Sequence, residues 1–278
     1  MLVRFAVENF LSFKGRVTLN LSAGVIKEHP QNVYTPYFDK SARLLKTAAI
    51  MGSNSNGKSN LIKGFSFMKN FVVNSSKESN VGSKIPVEPF LLCTTTEAMP
   101  SLFEAVFFLG DLRYKYGFTV TSDYVESEWL IVLNKNKEQS IFIRHRSDFS
   151  IEKKFRSELK NQLDLLTKFT RENSLFISVL SQFNVEIGKS VTTWFSGSIV
   201  ALDTDQESLF QTSANLFKDA KYRQLLNDII KHSGLGIEGI EERLNNAASK
   251  FGYNKTLLET LFKKEIESLA IKTKHTKY

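Results

Sequence analysis

The residues best suited to chemistry lie in one short run, Gly52-Ser53-Asn54-Ser55-Asn56-Gly57-Lys58-Ser59. It satisfies G-x-x-x-x-G-K-[ST] at every fixed position. Gly52 and Gly57 have no Cβ, so the chain can turn sharply and bring backbone N–H groups up to an anion. Lys58 adds a point charge suited to β- and γ-phosphates, and the Ser59 hydroxyl is suited to Mg²⁺. A helix beginning at the lysine would aim its positive end at the same place. The run therefore reads as a loop for nucleotide phosphates.

Such a loop needs a buried strand before it and an amphipathic helix after it. Residues 44–51 are almost continuously apolar, which suits a strand covered on both faces. Leu61, Ile62, Phe65, Met68 and Val72 recur at helical spacing. The Ser/Asn/Lys/Gly-rich stretch 74–84 then reads as a loop.

Upstream, residues 2–8 and 16–22 alternate as two strands of a hairpin, and a loop spans 24–40. Downstream, period two returns in 103–109, 114–120, 128–133 and 140–143, an antiparallel meander. Residues 151–186 turn helical, with Leu159, Leu163, Leu166, Phe169 and Leu175 as core positions. Helical patterns also cover 206–231, stopped by Gly234, and 256–267. Residues 269–275 alternate like a strand with no later segment to pair with it.

The chain has 278 residues, 42% hydrophobic and 24% charged, which excludes a disordered tail or a collagen-like fibre. No apolar run approaches the ~18 residues of a membrane helix. A single cysteine, Cys93, excludes an internal disulfide and suits a reducing cytoplasm. The four histidines share no ligand spacing. Most of the 23 phenylalanines are expected in strand cores. The net charge of +8 permits an anionic partner without showing one.

Around the loop, Asn9-Phe10-Leu11-Ser12-Phe13 follows the first strand, and Gly52-Ser53-Asn54-Ser55-Asn56-Gly57-Lys58-Ser59-Asn60-Leu61 follows the second element. This arrangement resembles the N-terminal lobe of ABC-type ATPases of the SMC and RecF kind. Within that group it is most similar to prokaryotic AAA family ATPases of abortive-infection and restriction-associated operons. The resemblance continues through Pro89-Phe90, Phe103-Glu104, residues 114–118, Trp194-Phe195 and residues 235–240, and so covers most of the chain. It implies an α/β P-loop NTPase fold, an ABC-type head with an antiparallel β subdomain and a helical region. It also implies ATP and Mg²⁺ at Gly52 to Asn60, with Ser59 on the metal and Ser12 and Phe13 near the base and ribose.

The same resemblance implies a Walker B strand ending in Asp-Glu. The sole candidate, 198–205, carries Asp203 but has Thr204 where the glutamate belongs. Gln139, Gln162 and Gln182 have no context that marks a Q-loop. In the resembling proteins the signature, Walker B and switch histidine follow a strand like 272–275, so the sequence reads as the N-terminal half of a head. The expected organisation is a lobe at 1–148 with the loop and meander, a helical region at 149–268, and at 269–278 the start of a strand belonging to a C-terminal lobe. Hydrolysis would then need a homodimer or a complementing lobe, and a nuclease partner is implied. Basic groups at Arg144/Arg146, Lys153/Lys154, Lys263/Lys264 and Lys272/Lys274/Lys277 are expected to be solvated surface, with non-specific DNA contact as the other reading. Two competing functions remain: a P-loop small-molecule kinase and a non-catalytic nucleotide-binding module.

Overall fold

The computed structural model describes residues 1–25, 28–54, 56–78, 80, 82–134, 137–160, 162–197, 219–232, 237–245 and 268–275. Strands β1 (Leu2–Glu8) and β2 (Val17–Asn20) form the expected hairpin. Strands β3 (Val33–Tyr34) and β4 (Leu44–Leu45) make a minimal separate ladder. Helix α1 (Lys58–Glu78) follows, then the single turn α2 (Thr94–Glu97). The meander is β5 (Ser101–Leu109), β6 (Leu112–Val120), β7 (Val125–Asn134), β8 (Lys137–His145) and β9 (Asp148–Ile151). These join the first hairpin in a seven-stranded sheet of order β2-β1-β5-β6-β7-β8-β9. Among the described residues every strand pair is antiparallel. The fold is mixed α/β.

One face of this sheet carries the core. Register sets Phe103 opposite Phe118, Ala105 opposite Tyr116 and Phe107 opposite Tyr114, so period two places these rings together. Helix α1 lays Phe65 edge-on to Phe5 at 4.8 Å and Phe67 against Phe103 at 4.7 Å. Each fully buried ring, such as Phe5 or Phe103, contributes about 1.5–3 kcal/mol. Helices α3 (Lys153–Leu159), α4 (Gln162–Phe169), α5 (Phe176–Gln182) and α6 (Glu186–Gly197) complete the layer, with Trp194 stacked on Phe107 at 4.1 Å. The expected core leucines 159, 163, 166 and 175 are buried. Phe169 is not: it is 53% exposed and stacks on Phe183 at the surface instead.

A charged network lies inside this core. Glu128 accepts hydrogen bonds from the Tyr116 hydroxyl at 3.0 Å and from the amides of Phe176 at 2.7 Å and Ile177 at 3.0 Å. It therefore caps the start of α5. Arg144 lies 3.6 Å from the same carboxylate and donates to the carbonyls of Arg146, Ser174 and Arg171. Burial pushes the Glu128 carboxyl upward, against the pull of Arg144 and the two amides. Arg144 is thus no surface cation for DNA, because its donors are consumed inside the fold. Arg146 is held by Glu126 at 2.7 Å and by the Tyr124 ring.

Contacts divide the chain into two units, Met1–Ala201 and Leu202–Tyr278. In the second, helix α7 (Ala220–Lys231) lies against β10 (Ile237–Asn245), which pairs antiparallel with β11 (Ser268–His275). The terminal strand therefore has a partner, β10, which lies inside the 149–268 region expected to be helical. Two other expectations also change. The buried strand at 44–51 shrinks to Leu44–Leu45, and Ile50 and Met51 are exposed, because no described strand runs beside them. The loop expected at 74–84 begins only after Glu78, because Ser75 and Ser76 are buried in polar contacts. The Ser75 hydroxyl accepts from the Leu175 amide, and Ser76 bonds Ser178. The 198–205 run, Gly234, helix 256–267, Lys263, Lys264 and Lys277 lie outside the described residues.

Candidate functional site

The run Gly52 to Ser59 ends at the head of α1, whose first residue is Lys58. The Lys58 ammonium donates to the carbonyls of Gly52 at 2.8 Å and Ser53 at 2.7 Å, so the loop curls around its own cation. Gly57 takes φ +79, the left-handed region that a side chain rarely adopts. A Cβ there would also lie 2.8 Å from the Phe13 ring and 2.8 Å from the Ser12 hydroxyl. Two independent constraints, torsion and space, thus require glycine at this position. Gly52 has weaker demands, the nearest atom to a Cβ being Asn56 Nδ2 at 3.5 Å.

Most of the loop faces solvent. Gly52, Ser53, Asn54, Asn56 and Ser59 are exposed, Gly57, Lys58 and Asn60 partly so, and Ser55 lies outside the described residues. The first-turn amides of a helix have no intrahelical acceptor, and the 21-residue α1 ends its dipole here. An ammonium, a hydroxyl and a helix N-terminus lie together on one solvent-facing loop. This donor set is that of an oxyanion site, and it fits the phosphates of a nucleotide with Ser59 beside a divalent cation.

The turn after β1 supports the loop from behind. Asn60 Nδ2 donates to the Ser12 hydroxyl at 2.8 Å, and Phe13 packs on Gly57. Phe10 is buried against Phe103 and Phe67. Ser12 and Phe13, expected near the base and ribose, therefore border the loop directly.

Asn9 holds the turn in place, a role that the sequence reading missed. Its amide nitrogen donates to the carbonyls of Thr96 and Met99, both at 2.8 Å, and its side-chain oxygen accepts from the Phe90 amide at 3.1 Å. Its backbone sits at φ +50, a conformation in which Asn is enriched. An Asn ending an alternating strand is the one sequence signal that marks it. Cys93, in the loop that Asn9 braces, has its thiol lowered to about 6 by the Thr95 hydroxyl first, then backbone amide and Lys14 contacts.

The remaining expected residues are not gathered here. Gln139, Gln162 and Gln182 belong to β8, α4 and α5, while Lys153 and Lys154 are exposed on α3. Asp203 lies outside the described residues.

A family model described as "AAA domain, putative AbiEii toxin, Type IV TA system" matches residues 48–259, a span that takes in the loop, α1, the meander and the helices. No curated protein matches the chain.

Proposed function

Because the chain belongs to the AAA-type ATPase family of the abortive-infection group, its match extending over well more than half the length, we propose that it binds Mg-ATP at Gly52 to Asn60. The observation that carries this reading is the loop closed around the Lys58 ammonium at the head of α1. Lys58 would exchange its two carbonyl partners for phosphate oxygens, and the amides at the start of α1 would hold the same anion. The Ser59 hydroxyl would ligate Mg²⁺, which when bound neutralises phosphate charge. Gly57 and the Ser12–Asn60 bond fix the loop, so it is preorganised before ligand arrives.

Hydrolysis asks for more than this surface. Phosphoryl transfer is catalysed by positioning and electrostatics in a site that excludes water. Here the outer side of the loop faces solvent, and Met51 beside it is 89% exposed. We assign the closing surface to a second copy or a complementing C-terminal lobe, as in an ABC-type, SMC/RecF-like head. The hairpin before the loop and the antiparallel meander after its helix support that assignment over a kinase. The family description supports a setting in prokaryotic defence, where a nuclease or DNA would be the partner. No described helix is long and apolar enough to cross a membrane. The single cysteine supports a place in the cytoplasm.

Isothermal titration with Mg-ATP tests the binding. Lys58→Ala should weaken it at least tenfold with the fold intact, and Ser59→Ala should weaken its Mg²⁺ dependence. Equal affinity in wild type and Lys58→Ala would remove the assignment. Steady-state phosphate release from the isolated chain should stay far below the ~1–100 s⁻¹ of efficient phosphoryl-transfer enzymes.

A further inference from the structure

The sheet's second face holds a groove that the nucleotide reading does not use. Alternation sends Tyr114, Tyr116 and Phe118 of β6 into the core, so Arg113 and Lys115 emerge on the opposite side. Register completes the surface. Arg4 on β1 lies opposite Val106 on β5, and Val106 opposite Lys115 on β6. Arg113 lies opposite Leu133 on β7, and Leu133 opposite Glu138 on β8. Lys137 stands at the rim. The result is a groove of about 400 Å³ with Val106 and Leu133 in its floor. Val3 also lines it, and Val3 and Val106 pack with Leu44, Phe108, Phe38 and Ala42 in a small apolar cluster.

Four cations and one carboxylate line this groove. Lys115 is held by Glu138 at 2.8 Å, and Arg4 by Glu104 at 3.3 Å. Arg113 and Lys137 make no ion pair among the described residues, and the Arg113 Nε is shielded from solvent with no hydrogen-bond partner. A shielded charged donor without an acceptor is costly, and the void beside it is open. Asp39, whose carboxylate is taken up by Ser41, is the acidic group that Arg113 also influences. A planar guanidinium with free donors, a mobile ammonium and an apolar floor together suit a phosphate joined to a flat or apolar group.

The geometry points to a second ligand site on this face, for an organic phosphate of about mononucleotide size. The volume lies within the range of small-molecule sites, and Val3, Val106 and Leu133 give the lining its apolar part. Arg113 and Lys137 bind the phosphate, and Val106 and Leu133 receive the apolar part. This site stands on residues separate from the loop at 52–60, so each can fail without the other.

The test is isothermal titration of the full chain with pyrophosphate and with AMP at low ionic strength, in the Lys58→Ala background. One site should remain there. Arg113→Gln and Lys137→Glu should each weaken it at least tenfold. Lys137 is exposed, so its variant keeps the test valid if the Arg113 variant fails to fold. Absence of any site in Lys58→Ala, or equal affinity with and without the groove substitutions, would overturn the proposal. A ten-nucleotide DNA strand that binds the same background more than tenfold tighter than AMP would overturn the small-molecule assignment in favour of a nucleic-acid track.

Discussion

Removing Arg144 should destabilise the first unit far more than removal of a surface arginine. Its guanidinium donates to three backbone carbonyls, at 2.6 Å to Arg146, 2.6 Å to Ser174 and 3.1 Å to Arg171. It also faces Glu128 at 3.6 Å, and both side chains are shielded. Three bonds from a charged donor, at about 1.5–3 kcal/mol each, set a ceiling of about 4.5–9 kcal/mol. Water can reach some of the vacated carbonyls and Glu128 can take up a proton, so Arg144→Met should cost about 3–5 kcal/mol. Urea unfolding followed by tryptophan fluorescence measures this cleanly, because the two tryptophans, Trp129 and Trp194, both lie in Met1–Ala201. The pH dependence has a definite sign. Burial already raises the folded-state pKa of Glu128 above its unfolded value, and loss of Arg144 removes an opposing pull and raises it further. The folded variant then binds the proton more tightly, so its stability deficit shrinks as pH falls from neutral and grows as pH rises. Pairing with Glu128→Gln should recover part of the loss, a coupling of at least about 1 kcal/mol. A cost below about 1 kcal/mol, or additive single effects, would refute the reasoning, since surface pairs behave that way.

Gly188→Ala should cost about 1–3 kcal/mol by the same unfolding assay, because its Cβ would press on the Ser181 amide nitrogen and lie 2.6 Å from the Leu180 carbonyl carbon, prising α5 from α6. Gly57→Ala should weaken Mg-ATP binding about tenfold or more in a titration, the positive φ and the Phe13 contact together distorting the loop. Cys93 should be alkylated by iodoacetamide with a rate midpoint near 6, below the ~8.5 of a free thiol. Thr95→Val should move that midpoint upward.

Periodicity reports what one element wants and says little about what its neighbours supply. The start of α1 and the strands of the meander were legible because their apolar spacing and the glycine before Lys58 are local facts. The strand at 44–51 was not, because a strand exists only where another pairs with it, and the apolar run looks the same either way. Arg144 was misread because charge argues for solvent unless a buried carboxylate and three carbonyls are waiting, and those come from residues 128 to 174. Ser75 and Ser76 looked like loop formers, yet a helix can carry hydroxyls that meet another helix. Within the candidate site, the loop could be read from its own residues. The Asn9 brace could not, since its partners lie some ninety residues away in sequence.

The seven-stranded sheet ends in two strands of only four residues each, β2 at one margin and β9 at the other. Unpaired N–H and C=O groups on such margins are the template by which sheets recruit other chains, and a four-residue template offers few bonds and fixes register poorly. The five interior strands of the sheet, seven to ten residues long, are spent on one another. In the second unit the ribbon of β10 and β11 is the opposite case, with nine and eight residues. Among the described residues, strand addition would therefore meet a longer template on that ribbon than at either border of the larger sheet.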